Sequence, residues 1–223
     1  FFPISFAILI GASQILIICS DNESKKKYKK ILDPFKVKIK FHYKIQKKAS
    51  GIPDAMSYGE KFLKNQDQKI YILGDNFFYG HSLIQNIKSQ LDKKKPTIFL
   101  KKVDNPSSFG VARLYKNQIT KIEEKPKKNT NNLFAIAGLY FFDENLFKKI
   151  KKLKLSKRKE YEITDIIKIY KKEKNLNFYN LGRGSVWYDL GNFDNINNCS
   201  NLVSIFQKRN DLEIGSLNEI LGK

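Results

Sequence analysis

The sequence predicts an α/β protein in which a doubly wound, mostly parallel sheet carries an inserted antiparallel hairpin portion. Short apolar runs alternate with amphipathic segments through the first half of the chain, which is typical of strands alternating with helices. The middle of the chain then holds two strand-like runs around Lys116-Asn117, a two-residue turn. No internal repeat or low-complexity linker is seen, so residues 1–223 are expected to form a single domain.

The opening residues are predicted to form a buried helix and a buried strand. Residues 1–20 carry no charge and could be mistaken for a signal peptide or a membrane span. However, the run has no basic start, and Pro3 and Gly11 interrupt it. A helix at 4–10 and a strand at 15–19 account for this pattern better than a span of about 20 apolar residues. We therefore expect no membrane partner.

The remaining elements follow from the spacing of the apolar residues. Helical periodicity predicts helices at 23–32, 54–63, 83–91, 144–153, 163–172 and 195–207. Apolar or aromatic runs predict strands at 37–42, 69–73, 97–103, 111–115, 118–124, 135–142 and 178–181.

The composition indicates a solvated basic surface rather than a nucleic-acid interface. The formal net charge is +20, yet only four of the 42 basic residues are arginine: Arg113, Arg158, Arg183 and Arg209. Proteins that bind nucleic acid tend to rely on arginine forks, whereas these lysines are scattered in short runs. The charge favours anionic small molecules by long-range attraction, and a basic RNA-binding protein is the alternative.

The cysteines indicate a reducing compartment. Cys19 and Cys199 both lie in apolar surroundings and resemble small core residues. Because no disulfide framework or CxxC pair is present, a cytoplasmic protein is predicted.

Two acidic residues stand where an α/β sheet binds its ligands. Asp75 follows the strand predicted at 69–73, and Asp189 follows Trp187-Tyr188 in a similar setting. Ligands bind at the carboxyl edge of the strands in open α/β sheets. Two carboxylates there would suit one Mg²⁺, which takes few protein ligands and completes its shell with phosphate oxygens and water. The alternative for each residue is a turn that ends a strand.

Two further segments carry polar groups that suit a nucleotide and a sugar phosphate. In Glu123-Glu124-Lys125-Pro126, a lysine before a proline is expected to be extended, with its ammonium aimed at a phosphate. The neighbouring carboxylate can accept hydrogen bonds from sugar hydroxyls. Gln46 can pair with the edge of a base, and Gly51 permits close approach of the backbone. The alternatives are a solvated charge run and an ordinary loop.

Together these segments resemble glucose-1-phosphate thymidylyltransferase over nearly the whole chain. Eight ordered blocks carry the resemblance: Phe1-Phe2-Pro3-Ile4-Ser5, Lys44-Ile45-Gln46 with Gly51, Leu73-Gly74-Asp75-Asn76-Phe77-Phe78-Tyr79-Gly80-His81, Phe109-Gly110-Val111, Glu123-Glu124-Lys125-Pro126, Ala137-Gly138-Leu139-Tyr140-Phe141, Glu162-Ile163-Thr164-Asp165, and Gly182-Arg183-Gly184 with Trp187-Tyr188-Asp189. The resemblance implies a Rossmann-like nucleotidyltransferase fold.

The resemblance also implies a role for each matching residue. Asp75 and Asp189 would hold Mg²⁺ and, with Lys125, form the catalytic set. Gln46 and Gly51 would contact the thymine. Glucose 1-phosphate would be held by Gly110, Glu124, Lys125, Ile136, Tyr140, Arg158 and Trp187.

The implied activity joins glucose 1-phosphate to dTTP. The sugar phosphate, already anionic, would attack the α-phosphorus in line and expel pyrophosphate, giving dTDP-glucose for deoxysugar and polysaccharide synthesis. Such chemistry needs positioning and charge neutralisation rather than a general base. A uridylyl- or cytidylyltransferase acting on the same sugar phosphate is the alternative, and the family resemblance suggests a homotetramer.

The chain departs from the family pattern in several places. The family's first strand, its Gly-rich phosphate loop and its C-terminal helical tail have no match within 1–223. We therefore expect little or no activity from this polypeptide alone, and an inactive fragment or pseudo-enzyme is a further alternative. Ile52-Pro53-Asp54 replaces a more usual Leu-Ala-Gln beside the predicted base site, which leaves the nucleotide preference open.

Overall fold

The computed structural model describes residues 1–36, 39–127 and 132–221. The helices are α1 (Phe2–Leu9), α2 (Asn22–Leu32), α3 (Ile52–Ser57), α4 (Glu60–Leu63), α5 (Leu83–Asp92), α6 (Leu146–Ile150), α7 (Ile163–Lys172), α8 (Phe193–Asn210) and α9 (Leu217–Leu221). The strands are β1 (Gln14–Cys19), β2 (Lys40–Ile45), β3 (Lys69–Ile72), β4 (Asn76–Gly80), β5 (Thr97–Lys101), β6 (Gly110–Tyr115), β7 (Gln118–Glu124), β8 (Leu133–Phe142), β9 (Asn177–Asn180) and β10 (Ser185–Asp189).

The opening run folds as predicted, into the short helix α1 followed by the strand β1. Pro3 lies in the first turn of α1, where its missing N–H costs no helical hydrogen bond. The chain then turns at Gly11, which has a φ of +111° that favours glycine. Among the helices that the structure describes, none is both long and apolar enough to cross a membrane.

Most other predicted elements are present, with three differences. The helix predicted at 54–63 is divided into α3 and α4 at Tyr58-Gly59, because glycine weakens a helix. The strand predicted at 37–42 is observed from Lys40, and residues 37–38 lie outside the described part of the chain. The sequence interpretation missed the short helix α9 and the strands β4 and β10, although the aromatic side chains of β4 and β10 are typical of strands.

The central strand β8 makes the sheet mixed. One edge of β8 pairs with β5 along its length, and the other edge is shared by β3 and β6. All three pairings are antiparallel, so β3 and β5 run in the same direction, as their alternation with helices predicted. However, β8 lies between them. The expected mostly parallel sheet is therefore corrected to a mixed one, in which β5–β9 is the parallel pair described, while β1 and β2 form a separate two-stranded parallel sheet.

The inserted antiparallel hairpin is confirmed as β6 and β7. Lys116 and Asn117 both have positive φ at its tip, +44° and +57°. A two-residue turn with positive φ at both positions matches the twist of the flanking strands. The hairpin extends the sheet beyond β8 and ends at the register pair Gly110–Glu124, at the edge where the candidate site lies.

Strand β8 separates two hydrophobic cores. Its Tyr140 and Phe142 pack on one face with the apolar side of α7. Its Leu139 and Phe141 pack on the opposite face with α5. Successive side chains of a strand point to opposite faces, so a strand buried on both sides reads as one continuous apolar run. This double burial fixes β8 as the frame on which the site is built.

A third, smaller core supports β1 and β2. Leu32, Phe35 and Leu217 are its buried members, with Ile17 and Phe41 packed against them. It brings α2 and α9 onto the β1–β2 pair, away from the two cores around β8.

A largely apolar cavity of about 400 Å³ lies between β1 and β3. Consecutive residues of both strands line it, Ile15-Leu16-Ile17-Ile18 on β1 and Ile70-Tyr71-Ile72 on β3. Because neighbouring side chains point to opposite faces, the cavity must meet the edges of both strands. In the described part of the chain, each of these strands is paired along its other edge only.

Candidate active site

Asp75 and Asp189 are brought to one edge of the fold by the pairing of β4 with β10. The strands are antiparallel, with Asp189 in register with Asn76. Just beyond the pair, the backbone N–H of Leu190 donates to the carbonyl oxygen of Asp75 at 2.7 Å. The two aspartates, 114 positions apart, therefore lie on adjacent segments of backbone.

The two carboxylates also interact electrostatically. Burial raises the pKa of Asp189 above its usual value, and the negative charge of Asp75 raises it further. The backbone N–H of Gly191, which donates to Asp189 Oδ1 at 2.9 Å, acts in the opposite direction. A cation between the two groups would relieve this repulsion, because an opposite charge favours the ionised form of each carboxyl.

The donor set suits Mg²⁺ rather than a softer metal. It consists of two carboxylates, and hard oxygen ligands are those that Mg²⁺ prefers. Among the residues described, no group of three or more His, Cys, Asp and Glu side chains could hold a metal ion. Two protein carboxylates leave most of the coordination shell to phosphate oxygens and water, as is usual for Mg²⁺ in nucleotide-binding sites.

A cavity of about 310 Å³ opens beside Asp189. It brings together all seven residues that the sequence assigned to the sugar phosphate: Gly110, Glu124, Lys125, Ile136, Tyr140, Arg158 and Trp187. Gly51 also lines it, whereas Asp75 is exposed at the surface and Gln46 lines the cavity between β1 and β3 instead. The hairpin, β8, β10 and the start of α7 thus all contribute to one concave site.

Glu124 is the half-buried acid of this cavity. Burial raises its pKa above the usual value, the charge of Glu162 adds to that effect, and the hydroxyl of Thr164 opposes it by donating at 3.1 Å. The Arg158 guanidinium lies 3.5 Å from Glu124. Gly110 is the register partner of Glu124 on β6, and a Cβ added at Gly110 would lie 2.8 Å from Thr164 Cγ2. Only glycine keeps this side of the cavity open.

Arg158 is held mainly by Glu162. Its Nε donates to Glu162 Oε1 at 3.1 Å and its Nη2 to Oε2 at 2.8 Å, a two-pronged contact. Burial alone would raise the pKa of Glu162, but the hydrogen bonds from Arg158 and from Ser156 outweigh it and lower the pKa. The guanidinium therefore stays at the mouth of the cavity, facing Glu124 and Glu160 as well.

Lys125 lines the cavity, but its backbone is not extended as the sequence predicted. Its φ is +41°, in the left-handed region that a residue before proline rarely occupies. The backbone N–H of Lys125 donates to the carbonyl oxygen of Phe109 at 3.0 Å, which continues the β6–β7 ladder by one bond and turns the chain before Pro126. Tertiary pairing thus overrides the local preference and directs this segment along the cavity.

The two residues assigned to the base lie at the ends of different elements. Gln46 follows β2, and its backbone N–H donates to the carbonyl oxygen of Cys19 at 2.9 Å. Its amide Nε2 donates to Asp54 Oδ2 at 2.7 Å. Gly51 precedes α3 with a φ of +98°, and an added Cβ would overlap the carbonyl oxygen of Tyr161. The close backbone neighbour of Gly51 is therefore Tyr161, and a contact of Gly51 with a base stays a prediction.

Tyr140 lies at the floor of the cavity and is almost fully buried. Burial raises the pKa of its hydroxyl well above the usual value, and the charges of Glu124, Asp75 and Asp189 raise it further. The hydroxyl therefore stays protonated.

Several lining residues were given no role by sequence reasoning. Asn76, Gly138, Glu162 and Thr164 all line the cavity. They belong to blocks that carried the family resemblance, yet nothing in their local pattern indicates which neighbours they contact. Thr164 bonds to Glu124, and Asn76 bonds to Gly138 and Trp187, across 40 to 111 positions of the chain, so only the folded arrangement reveals these contacts.

Comparison with known proteins assigns the family. A model of the nucleotidyl transferase family matches residues 2–204. A glucose-1-phosphate thymidylyltransferase of Neisseria meningitidis is 34% identical over 99% of this chain and 76% of its own length. One of Neisseria gonorrhoeae is 33% identical, again over 99% and 76% of the two chains.

Solved structures agree with this assignment. A Bacillus anthracis protein assigned as a glucose-1-phosphate thymidylyltransferase, solved with sucrose, has a TM-score of 0.79 and 31% identity, covering 89% of this chain and 79% of its own. A UDP-glucose pyrophosphorylase solved with UDP-glucose has a TM-score of 0.75 at 22% identity, covering 93% and 86%, and supports the fold alone. The chain belongs to the nucleotidyl transferase family, among relatives that are glucose-1-phosphate thymidylyltransferases.

Proposed function

We propose that this chain binds dTTP and glucose 1-phosphate with Mg²⁺ and forms the catalytic body for the synthesis of dTDP-glucose and pyrophosphate. The observation that carries the proposal is the juxtaposition of the Asp75–Asp189 pair with a cavity lined by Glu124 and Lys125. An acidic pair for a cation, a carboxylate for hydroxyls and an ammonium for a phosphate are the three elements that a sugar nucleotide requires.

The reaction needs no general base on the protein. The phosphate oxygen of glucose 1-phosphate forms a bond to the α-phosphorus of dTTP, while the bond from that phosphorus to the bridging oxygen of pyrophosphate breaks. Both the nucleophile and the leaving group are anionic, so the protein's work is to align them and offset their charge. Mg²⁺, when bound to Asp75 and Asp189, would supply part of that neutralisation.

The cavity residues would orient the sugar phosphate. The carboxylate of Glu124 would accept hydrogen bonds from the hydroxyls, and Gly110 leaves room for the ring. Lys125 and Arg158 would contact the phosphate, as cations at the cavity mouth. Ile136, Tyr140 and Trp187 also line the cavity, and their bulk would help to exclude water from the reacting atoms.

The orientation of the Gln46 amide favours a base that carries an N3–H group. A carboxylate only accepts hydrogen bonds, so the Asp54 contact fixes Nε2 toward Asp54 and leaves Oε1 as the free acceptor. Thymine and uracil both donate from N3, whereas N3 of cytosine is an acceptor. This orientation favours a thymidylyl- or uridylyltransferase over a cytidylyltransferase. The base would be held between Gln46 and the backbone at Gly51.

The assembly and the compartment belong to the same proposal. The similarity to thymidylyltransferases supports a homotetramer, which size-exclusion chromatography with light scattering measures directly. The two free cysteines, Cys19 and Cys199, are both buried, which suits a reducing cytoplasm.

Nucleotide competition tests the proposed function. In thermal-shift experiments with Mg²⁺, dTTP and glucose 1-phosphate are each expected to raise the melting temperature, because a ligand that binds only the folded state stabilises it. We expect dTTP or UTP to stabilise the protein more than CTP. Asp75→Asn and Asp189→Asn should reduce the stabilisation by Mg²⁺ with dTTP, whereas Asp67→Asn, a change at a surface residue, should not. No stabilisation by any of these ligands would overturn the proposal.

A further inference from the structure

Asn76 joins three parts of the candidate site through its side chain. It is the first residue of β4 and is only 2% exposed. Its Oδ1 accepts from the backbone N–H of Gly138 on β8 at 2.9 Å and from Trp187 Nε1 on β10 at 2.6 Å. Its Nδ2 donates to Asp75 Oδ1 at 2.8 Å. One buried amide therefore connects the central strand, the opposite strand and the first carboxylate of the predicted metal pair.

The orientation of this amide is determined by its neighbours. The N–H of Gly138 and the indole N–H of Trp187 are both donors, and together they require an acceptor. A flipped amide would turn its NH₂ group toward two donors and its oxygen toward the Asp75 carboxylate. All three contacts would then be repulsive, so Nδ2 must face Asp75.

The Asn76 amide fills the space beside Gly138 on β8. A Cβ added at Gly138 would lie 2.5 Å from Asn76 Oδ1 and 2.7 Å from its Cγ. The space that any other residue would use at position 138 is thus occupied by the Asn76 side chain. Because β8 is buried on both faces, the amide cannot move aside without disturbing the core.

We propose that Asn76 is a positioning residue that fixes the Asp75 carboxylate in the orientation in which it shares a divalent cation with Asp189. The inference rests on the proposed function, since it assigns Asn76 to the metal site proposed there. Asp75 itself is exposed, so without a donor its carboxylate would be free to rotate. Partners of this kind behind a metal ligand typically change metal affinity by about 10–100-fold when they are removed.

A cycle of variants separates positioning from general stability. In Asn76→Ala the donor to Asp75 is lost, and in Gly138→Ala the new Cβ displaces the amide while every hydrogen-bonding group remains. In the double variant the two alanines no longer compete for the same space, so it should be more stable than the sum of the single changes predicts. We expect Mn²⁺ binding in the presence of dTTP, measured by electron paramagnetic resonance of the free ion, to be about tenfold weaker in all three variants.

The outcomes discriminate clearly. If Asn76 had only a structural role, Mn²⁺ affinity would follow the melting temperature and recover in the double variant; that result would overturn the inference. Asn177→Ala removes another partly buried strand amide, which donates to Thr97 and Gln90, and it should leave the Mn²⁺ affinity unchanged. If the native chain binds Mn²⁺ and Asn76→Ala binds it with the same affinity, this inference is overturned and the proposed metal site is not. Absence of Mn²⁺ binding to the native chain would overturn the metal proposal as well.

The chain's single tryptophan adds a readout at the site itself. Trp187 donates to Asn76 and lines the cavity, so its fluorescence reports this hydrogen bond directly. We expect Asn76→Ala and Gly138→Ala to shift its emission and Asn177→Ala to leave it unchanged. An unshifted spectrum in both site variants would contradict the hydrogen-bond arrangement on which the inference rests.

Discussion

The backbone N–H of Leu190 donates a 2.7 Å hydrogen bond to the carbonyl oxygen of Asp75. This bond extends the β4–β10 ladder by one step and anchors the segment after Asp189 to the segment that carries Asp75. The same pair of strands therefore sets the positions of both aspartates. Variants elsewhere in the cavity can be expected to change ligand binding without separating the metal pair.

Glu124→Gln is expected to stabilise the unliganded chain while weakening sugar-phosphate binding. Burial, followed by the charge of Glu162, raises the pKa of Glu124 in the folded state. The folded state thus binds more protons than the unfolded one, so this group's contribution to stability falls as pH rises above about 4.3. The variant should melt higher than the native chain at pH 7, and the difference should shrink toward pH 4.

Calorimetric titration of the same variant should show glucose 1-phosphate binding about tenfold more weakly, since hydrogen bonds to a charged acceptor are lost. The matched control is Glu123→Gln, one residue earlier on β7, where the carboxylate pairs with Lys121 and Arg113 instead. Equal glucose 1-phosphate affinity in both variants would show that Glu124 does not contact the sugar.

Arg158→Gln should destabilise the protein at neutral pH by about 1–2 kcal/mol. The hydrogen bonds from Arg158 help to hold the pKa of Glu162 below its usual value, so their contribution is present above a pH of about 4.3 and is lost as pH falls through the lower, folded-state pKa. Urea unfolding at pH 7 and pH 3 measures this. The control Lys168→Gln breaks the exposed pair with Asp165 and should change little at either pH. If the stability difference between Arg158→Gln and the native chain is the same at pH 7 and pH 3, the result would count against a stabilising Arg158–Glu162 pair.

Lys125→Gln should weaken glucose 1-phosphate binding by about tenfold and reduce its dependence on salt, because an ammonium–phosphate contact is both charge-assisted and screened by ions. Titrations at two salt concentrations test this. Lys121→Gln, on the strand β7 that precedes Lys125 and paired with Glu123 at the surface, is the control. Equal losses in the two variants would indicate a general effect of charge rather than a contact.

Gly51→Ala should cost about 1–3 kcal/mol of folding free energy. The residue combines a positive φ with a backbone neighbour, Tyr161, that a Cβ would overlap. Gly74→Ala provides the comparison, because a Cβ there meets nothing within 4 Å. Chemical denaturation of both variants measures the difference, and similar stabilities would contradict the close packing of the loop at Gly51.

Asp54→Ala should reduce the discrimination against CTP. Without its carboxylate partner the Gln46 amide can rotate and offer its NH₂ group to N3 of cytosine. We expect the ratio of the CTP and dTTP dissociation constants to fall about fivefold, the effect of one hydrogen bond. Ser57→Ala is the control on the same helix, since its hydroxyl donates only to the backbone carbonyl of Asp54. If the ratio of the CTP and dTTP dissociation constants is unchanged in Asp54→Ala, Gln46 does not select the base.

The parts of the fold that local pattern determines were predictable from the sequence. The hairpin at Lys116-Asn117, the apolar run of β8 and the helical period of α7 all appear where expected. The placement of β8 between β3 and β5 was not predictable, because apolar runs do not specify which strands become neighbours. The positive φ of Lys125 was missed for the same reason, since it accompanies a hydrogen bond to Phe109, the residue just before β6.

The candidate site, like the fold, was predictable from the sequence only in part. The side chains that carry distinctive chemistry, such as Asp75 and Lys125, stood out by type and by position after a strand. Asn76 is unremarkable in type, and its importance depends on contacts 62 and 111 positions away in the chain. Networks assembled from long-range pairing leave no periodic signal, so a single sequence does not reveal them.

The small core beneath β1 and β2 implies that the molecule does not open all at once. Those strands rest on few buried side chains, whereas β8 is enclosed by two large clusters. Cooperative units with less buried apolar surface exchange their amide hydrogens sooner, so the β1–β2 amides should lose protection before those of β8. Gln46 stands at the end of this less protected unit, and a nucleotide that bridges it to the rest of the fold would slow that exchange.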